Sequence, residues 1–235
     1  MASPRVIDNR LLAALPTSDR RRIVSGCELV ELALAEPLYA PWKPLGFVYF
    51  PTSSFVSLIM PTGDSSVFEV GLVGNEGMLG TALALNTDMS AERATVQGAG
   101  SALRMDVPAL RRELRRSGAF RGAINRYVHV RMGQLAQAAI CAQFHLLEAR
   151  VARRLLVTQD RAGASAFKIT QETLASKLGV RRAGITQAAS SLKRRRLIRY
   201  SRGVITVMDR RGLMSAACSC YQADRDSHDR ILGRG

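Results

Sequence analysis

Apolar and turn-forming residues alternate at short intervals through the first half of the chain. Between 27 and 105, apolar runs such as GFVYFP and SFVSLIM are separated by segments rich in Gly, Pro and Asn, including predicted turns at 61–64 and 74–77. β-Branched and aromatic residues are common in these runs, which is typical of an antiparallel sandwich or barrel. A short amphipathic helix, broken at Pro16, is predicted before them at 8–24.

A helical pattern replaces the strand pattern after residue 105. Asp106 is a natural N-cap, and Pro108 fits the first helical turn. From 120 to 144 apolar residues recur every three or four positions without a proline, which predicts one long helix. Because so long a helix is hard to cover within one small domain, we expect a seam between two copies of the chain; the alternative is packing on its own domain. The residues assigned to the seam are Ile124, Val128, Leu135, Ala138 and Ala142.

Two short helices joined by a tight turn are predicted towards the C-terminus. Thr170 can cap a helix over 171–178, with Gln and Glu following it in the manner of a helix start. Gly179 suits the left-handed position after a helix, where the chain turns sharply. A second helix is expected over 181–193, and this layout is the helix-turn-helix unit.

A two-stranded hairpin is predicted directly after the second helix. Its strands are 197–200 and 204–207, and 201–203 forms the turn between them. Upstream of the helix-turn-helix, a helix is expected over 145–160 and a loop over 161–166. The helices and the hairpin together predict a winged helix-turn-helix.

The charge of the chain is concentrated in its C-terminal part. The whole chain carries a net charge of +15, but residues 1–144 hold 15 Lys and Arg against 12 Asp and Glu, whereas 145–235 hold 19 against seven. Such asymmetry indicates a polyanionic partner, usually nucleic acid and less often an anionic membrane surface. A merely solubilising surface is the alternative.

The predicted winged helix offers a surface for DNA. The first residues of a recognition helix meet base edges in the major groove, and basic residues of the wing and the preceding run contact phosphates. A winged helix used only for protein contacts is the alternative. The residues assigned to DNA binding are Thr170, Gln171, Arg181, Arg182, Ala183, Gln187, Ser190, Lys193, Arg199 and Arg202.

The stretch ITQETLASKLGVRRAGITQAASSLKRRRLIRYSRGVITV carries a family resemblance. The matching residues are Thr170, Leu174, Ala175, Leu178, Gly179, Arg182, Ile185, Leu192, Leu197 and Ile198, and with them the whole chain resembles the Crp–Fnr regulators. The resemblance implies an N-terminal cyclic-nucleotide-binding-type β-roll, a long dimer helix and a winged helix. It also implies that Arg182 reads a guanine. The family often has Glu where this chain has Ala183, and Gln187 is the next reading position, so the operator should differ.

The same resemblance identifies candidate effector residues in the β-rich region. Family members that bind a cyclic nucleotide hold its phosphate with an Arg and its ribose with a Glu. Arg93 matches the phosphate arginine, but Thr81 stands at the Glu position and Ala94 at a Ser position. The pattern therefore disfavours cyclic AMP and leaves open another nucleotide effector. The residues assigned to effector binding are Gly80, Thr81, Arg93, Ala94 and Thr95.

The cysteines and histidines do not form a recognised metal motif. Cys27 stands alone, Cys141 is expected to be a small core residue, and Cys218 and Cys220 are too closely spaced for a standard site. A haem ligand at His129 or His145 is conceivable, but structural histidines are the more common reading. No metal site and no cofactor is assigned. No nucleophile elbow, Walker loop or HExxH motif is present, so we do not expect an enzyme.

The predicted fold class is α+β, with an antiparallel β-roll, a long dimerisation helix and a winged helix-turn-helix. The predicted domains are 1–118, 119–144 and 145–235. The expected function is a homodimeric regulator that binds an inverted repeat in double-stranded DNA, acts with RNA polymerase and is modulated through the sensor domain. The alternative is a nucleotide-responsive receptor whose output is protein contact. With no apolar run long enough to span a membrane and no signal-peptide pattern, a cytoplasmic location is expected.

Overall fold

The computed structural model describes residues 9–61 and 67–233, in two compact units. The first unit comprises 1–58, 73–131 and 229–235, and the second comprises 59–72 and 132–228. Of the turn predicted at 61–64, residues 62–64 lie outside the described residues. The predicted domain boundaries, after 118 and after 144, stay predictions.

Two antiparallel sheets and several helices make up the N-terminal part of the chain, as the alternation of apolar runs and turns predicts. One sheet has the order β1-β7-β3 and the other the order β2-β6-β4-β5, and the hairpin formed by the end of β4 and by β5 belongs to the second unit. The strands are β1 (Glu28–Leu32), β2 (Pro37–Tyr39), β3 (Phe47–Pro51), β4 (Phe55–Pro61), β5 (Val67–Val73), β6 (Arg93–Gly98) and β7 (Gly100–Asp106). The short helices are α1 (Arg10–Ala13), α2 (Thr17–Ser25), a 3₁₀ turn (Thr81–Leu85) and α3 (Val107–Arg116).

The predicted helix caps of this part are confirmed. The predicted break at Pro16 separates α1 from α2. The Asp106 carboxylate accepts a hydrogen bond of 2.7 Å from the backbone N–H of Ala109, which caps α3. The long helix α4 follows as Gly118–Phe144, close to the predicted 120–144.

The core of the first unit is closed by the first half of α4. Phe120, Ile124 and Tyr127 are almost completely buried and belong to the same apolar cluster as Phe50 of β3. The rings of Phe50 and Phe120 are 6.3 Å apart, a normal distance for tilted aromatic pairs. This burial corrects the sequence expectation for Ile124: it is enclosed by its own unit and is not on the surface of the chain.

The second unit holds the remaining helices and a three-stranded sheet with the order β8-β10-β9. Its core is one apolar cluster that includes Val151, Leu155, Leu174, Ile185 and Leu192, all fully buried. The elements are α5 (Leu147–Ala162), β8 (Ala166–Lys168), α6 (Gln171–Leu178), α7 (Arg182–Arg194), β9 (Ile198–Ser201), β10 (Val204–Val207), α8 (Arg210–Ala216) and α9 (Cys220–Leu232).

Three of these elements go beyond the sequence analysis. Strand β8 begins at the end of the segment predicted to be a loop, 161–166, and pairs with β10 through Phe167 and Ile205. Helices α8 and α9 occupy a stretch for which no prediction was made. Among the described residues, no helix is both long enough and apolar enough to cross a membrane.

Candidate nucleic-acid interface

Helices α6 and α7 form the predicted helix-turn-helix. The hydroxyl of Thr170 accepts a hydrogen bond of 3.0 Å from the backbone N–H of Thr173, so Thr170 caps α6. Gly179 ends α6 in the left-handed conformation with φ 63° and ψ 41°, where a Cβ would be strained. The second helix begins at Arg182, one residue later than predicted.

One face of α7 is buried and the other is open to solvent. Ile185, Ala188 and Leu192 are buried in the core of the second unit, because they recur at the helical interval. All the residues assigned to DNA binding on this helix and at its N-cap are exposed, namely Arg181, Arg182, Ala183, Gln187, Ser190 and Lys193. The helix therefore presents polar and basic groups from its N-terminal turn along one side.

Arg182 is held only loosely by its one ion pair among the described residues. Its Nε lies 3.7 Å from Oε2 of Glu172, and the two side chains are 68% and 72% exposed. An ion pair this exposed contributes little free energy, so the guanidinium can leave it for a new partner. Gln171 differs from the other assigned residues, since it is half-buried and its Oε1 accepts a 2.7 Å hydrogen bond from the Thr186 hydroxyl. This bond joins α6 to α7.

The hairpin of β9 and β10 forms the predicted wing. Its turn has two consecutive residues with positive φ, Arg202 at 49° and Gly203 at 77°, which fits the twist of a two-residue hairpin. The side chains of Arg199 and Arg202 are exposed on this hairpin. In the basic run before it, Arg195 makes a 2.8 Å salt bridge to Glu148, whereas Lys193, Arg194 and Arg196 are exposed and no salt bridge of theirs is found among the described residues.

A buried charged triad supports the helix-turn-helix from behind and was not predicted. Glu69 of β5 accepts from Arg154 of α5 at 2.8 Å and from Lys177 of α6 at 2.7 Å. Burial lowers the pKa of both cations, and the Glu69 carboxylate opposes that shift. Because Lys177 is buried in this triad, its charge is not part of the exposed basic surface around α7. No local pattern identifies Glu69 as its partner, because the two residues are more than a hundred positions apart.

The residues assigned to effector binding cluster around the 3₁₀ turn and the start of β6. Gly80 is buried with φ 82° and precedes the turn, and Thr81 begins it. Arg93 is exposed at the first position of β6, Ala94 is fully buried and Thr95 is half-buried. The candidate phosphate arginine is thus accessible, but the neighbouring alanine offers no polar group.

Tyr39 and Glu92 add polar groups near this turn that were not predicted. Burial raises the pKa of Tyr39, and the nearby backbone of Gly80 opposes the shift. Burial also raises the pKa of Glu92, and the Arg131 cation opposes this. A tyrosine side chain therefore lies beside the backbone of one of the residues expected to hold a phosphate.

The residues assigned to the dimer seam lie in different environments along α4. Ile124 is buried and Val128 is half-buried in the first unit, whereas Leu135 is 39% exposed, Ala138 is half-buried and Ala142 is exposed. The apolar side chains that are largely exposed in the second half of the helix are Met132, Leu135, Ile140 and Phe144.

Three cysteines and one histidine converge at the end of α4. Cys141 and Cys218 have their sulfur atoms 3.5 Å apart, and the Cys220 sulfur lies 3.3 Å from Nδ1 of His145. The hydrogen bond between Cys141 and Cys218 lowers the pKa of Cys141 and raises that of Cys218. Cys141 is buried, as predicted, but it is part of a group of potential ligands that the sequence analysis did not recognise.

Comparison with known proteins agrees with this architecture. Residues 149–216 match the model of the Crp-like helix-turn-helix domain. Among curated proteins no sequence matches the chain significantly.

Solved structures extend the likeness in fold to most of the chain. A Crp/Fnr-family regulator from Eubacterium rectale has 17% identity and a TM-score of 0.69, covering 88% of this chain and 96% of its own. CLP, the c-di-GMP-responsive regulator of Xanthomonas campestris, has 16% identity and a TM-score of 0.68, covering 82% and 99%. TTHB099, a CRP-family transcriptional regulator from Thermus thermophilus, has 17% identity and a TM-score of 0.67, covering 80% and 97%.

The class that these observations define is a protein with a Crp-like helix-turn-helix domain. The chain as a whole has the fold of the Crp/Fnr transcriptional regulators, which confirms the predicted resemblance and the α+β fold class.

Proposed function

We propose that this protein is a sequence-specific DNA-binding transcription regulator that acts as a homodimer on an inverted repeat. The observation that carries the proposal is the exposed N-terminal turn of α7, where Arg181, Arg182 and Ala183 are open to solvent while the opposite face is buried. Arginine can donate two hydrogen bonds to O6 and N7 of guanine in the major groove. We also propose that the DNA-bound dimer contacts RNA polymerase, because it would act on transcription.

The exposed basic residues around α7 suit the phosphate backbone. Lys193, Arg194, Arg196, Arg199 and Arg202 are exposed on the end of the helix and on the wing. If these five contact phosphates in each subunit, the dimer neutralises about ten, and the logarithm of the binding constant should fall with the logarithm of salt concentration with a slope of about −9. An interaction this dependent on salt is typical of DNA binding.

The second half of α4 suits a partner copy. Met132 is 63% exposed and Phe144 is 76% exposed, with Leu135 and Ile140 between them. Exposed apolar side chains spaced along one helix are costly in water and are covered by association. Two subunits related by a two-fold axis would present their recognition helices about 34–36 Å apart, one turn of DNA.

The N-terminal unit serves as the sensor in this proposal. CLP, with the same fold, is responsive to c-di-GMP. The present chain has Arg93 exposed but Thr81 and Ala94 at the positions that would contact ribose and phosphate, and Tyr39 beside the backbone of Gly80. We therefore propose a nucleotide other than cyclic AMP as the effector, since the ribose-binding carboxylate is missing.

Selection of duplex DNA from a random pool tests the function. The purified protein should enrich an inverted repeat at physiological salt. The Arg182→Ala variant should lose at least about fivefold in preference for the selected half-site, since one bidentate contact to guanine discriminates by roughly 1–3 kcal/mol. Arg225→Ala is the charge-matched control, because Arg225 is exposed on α9, outside the winged helix, and should keep the full preference. An Arg182→Ala protein that selects the same site equally well would refute the assignment of this residue.

A further inference from the structure

The cluster at the end of α4 consists of four side chains of the two types, cysteine and histidine, that commonly bind metal ions in proteins. Its atoms are the sulfurs of Cys141, Cys218 and Cys220 and one ring nitrogen of His145, and all lie within 4.8 Å of one another. The three cysteines are buried and His145 is half-buried. The cluster lies entirely within the second unit.

Two elements deliver the four ligands in pairs. Cys141 is in the last turn of α4 and His145 follows the end of the helix, and a spacing of four residues places both on the same side. Cys218 and Cys220 flank the start of α9, where the backbone N–H of Tyr221 donates to the carbonyl of Cys218 at 3.1 Å. The pairs are more than seventy residues apart in sequence, so they meet only in the folded unit.

The separations fit the ligands of one small ion. Bonds of about 2.3 Å to sulfur and about 2.0–2.1 Å to nitrogen in a tetrahedron put two sulfurs roughly 3.8 Å apart and a sulfur and a nitrogen roughly 3.6 Å apart. The observed separations are 3.5 Å between Cys141 and Cys218 and 3.3 Å between Cys220 and His145. The other separations within the cluster are up to 4.8 Å, so closing the shell around one ion needs side-chain movements of at most about 1 Å.

The kind of ligand selects the kind of ion. Thiolate sulfur and imidazole nitrogen favour zinc and disfavour calcium or magnesium, which prefer oxygen. An iron–sulfur cluster distributes its four protein ligands over two or more iron atoms, which would hold some of them further apart than the 4.8 Å within which all four ligand atoms lie here. Four protein ligands leave no open position, so the site is of the structural and not the catalytic type.

Neighbouring groups support bound thiolates. The side-chain amide of Gln137 donates to the Cys220 sulfur at 3.0 Å. The guanidinium of Arg153, which makes a salt bridge to Asp224, is a positive charge beside Cys141. Such donors around a metal-bound thiolate orient it and offset its negative charge.

From this geometry we infer that Cys141, His145, Cys218 and Cys220 bind one zinc-class divalent ion. The ion joins the segment between α4 and α5, which contains His145, to the start of α9. It thereby fixes the direction in which the long helix leads into the winged helix. Simple packing of small cysteine side chains would explain their burial, but it does not explain why a histidine nitrogen turns towards the same point.

Cobalt titration of the full-length chain tests the site. The protein is purified in a reductant, stripped with a chelator and titrated with Co²⁺, followed by displacement with Zn²⁺. We expect one Co²⁺ per chain, with the visible bands of tetrahedral cobalt and thiolate-to-metal charge-transfer bands in the near ultraviolet. A weak octahedral spectrum, or a stoichiometry well below one, overturns the proposal.

Variants separate metal binding from a loss of folding. Cys220→Ser should bind at least about a hundredfold more weakly, because even the loss of an outer-shell partner costs up to that much. Cys27→Ser is the matched control, since Cys27 lies in the first unit, outside the cluster, and should bind like the wild type. His145→Cys keeps four ligands and should retain the ion with stronger charge-transfer bands, which a merely structural role would not produce.

Three other results would overturn the proposal that the cluster binds a single metal ion. Equal affinity of Cys220→Ser and wild type overturns the proposal, provided that circular dichroism shows both folded. So does a reduced wild-type protein that takes up no Co²⁺ but, once oxidised, links Cys141 to Cys218 in a disulfide. Iron–sulfur absorption from all four ligands would likewise exclude the single ion. None of these readouts uses DNA, so the site is tested independently of the proposed function.

Discussion

Replacing Glu69 with glutamine should destabilise the second unit far more than the loss of an ordinary ion pair. The Glu69 side chain is only 6% exposed, and its two oxygens face Arg154 at 2.8 Å and Lys177 at 2.7 Å. Glutamine has the same shape but is neutral, and it offers one acceptor oxygen. Its NH₂ group would face one of the two cations.

The expected loss of stability in Glu69→Gln follows from the burial of the ion pairs that Glu69 makes. Removing one partner of a buried ion pair typically costs about 3–5 kcal/mol, because the remaining charge stays in a poorly solvated place. The matched control is Glu148→Gln, which breaks the 2.8 Å pair with Arg195 in the same unit. Those side chains are 34% and 48% exposed, so we expect a cost of about 0–1 kcal/mol.

Urea unfolding measures the free energy of unfolding of Glu69→Gln and of Glu148→Gln. Far-ultraviolet circular dichroism follows the helices, most of which belong to the second unit, and fluorescence of Trp42, the only tryptophan, reports on the first unit. In a unit of about 110 residues, a loss of 3 kcal/mol lowers the melting temperature by roughly 12 °C. Adding Lys177→Met to Glu69→Gln should recover part of the stability, since one of the two cations is removed. If Glu69→Gln costs no more than Glu148→Gln, the argument from burial is wrong.

Three further changes give expected outcomes. Gly179→Ala should lower the free energy of unfolding in urea by about 1–2 kcal/mol, because φ is +63° and the new Cβ would lie 3.2 Å from Phe68. Gly163→Ala is the control: its φ is +60° but nothing lies near the new Cβ, so it measures the backbone part of that cost alone. Thr170→Ala should cost about 1 kcal/mol and Thr170→Ser almost nothing, and equal losses would contradict the capping role. A hydrogen bond from Ser117 lowers the pKa of Asp19 below its ordinary value of 3.8. The wild type should therefore be more stable than Asp19→Asn above pH 3.8, and this advantage should disappear as the pH falls through the lowered pKa. An advantage that persists in acid would contradict this.

The parts of the fold that were predictable are those set by neighbours in sequence. The caps at Asp106 and Thr170 and the left-handed Gly179 each depend on contacts within a few residues. The length of α4 follows from an uninterrupted run without proline. For the same reason the winged helix could be outlined closely, since its turn and strands carry their own short-range signals.

The orientation of α4 could not be predicted in the same way. Apolar residues occur on more than one side of this helix, and helical spacing alone does not say which side faces the core of its own unit. Ile124 is buried against Phe50 and Phe120, and the exposed apolar side chains begin at Met132. A periodic pattern thus predicted the helix correctly but assigned one end of it to the wrong surface.

The charged triad and the Cys–His cluster show a second limit, which is distance along the chain. Glu69 is 108 residues from Lys177, and Cys141 is 77 residues from Cys218. Neither pair has a spacing that a motif could detect, because each depends on how helices pack after folding. An isolated charged side chain is costly to bury, so the convergence of Glu69, Arg154 and Lys177 in the interior requires a partner for each of them. In the Cys–His cluster the burial of three thiols needs no partner, and it is the convergence of a histidine nitrogen on the same three sulfurs that leads to an ion.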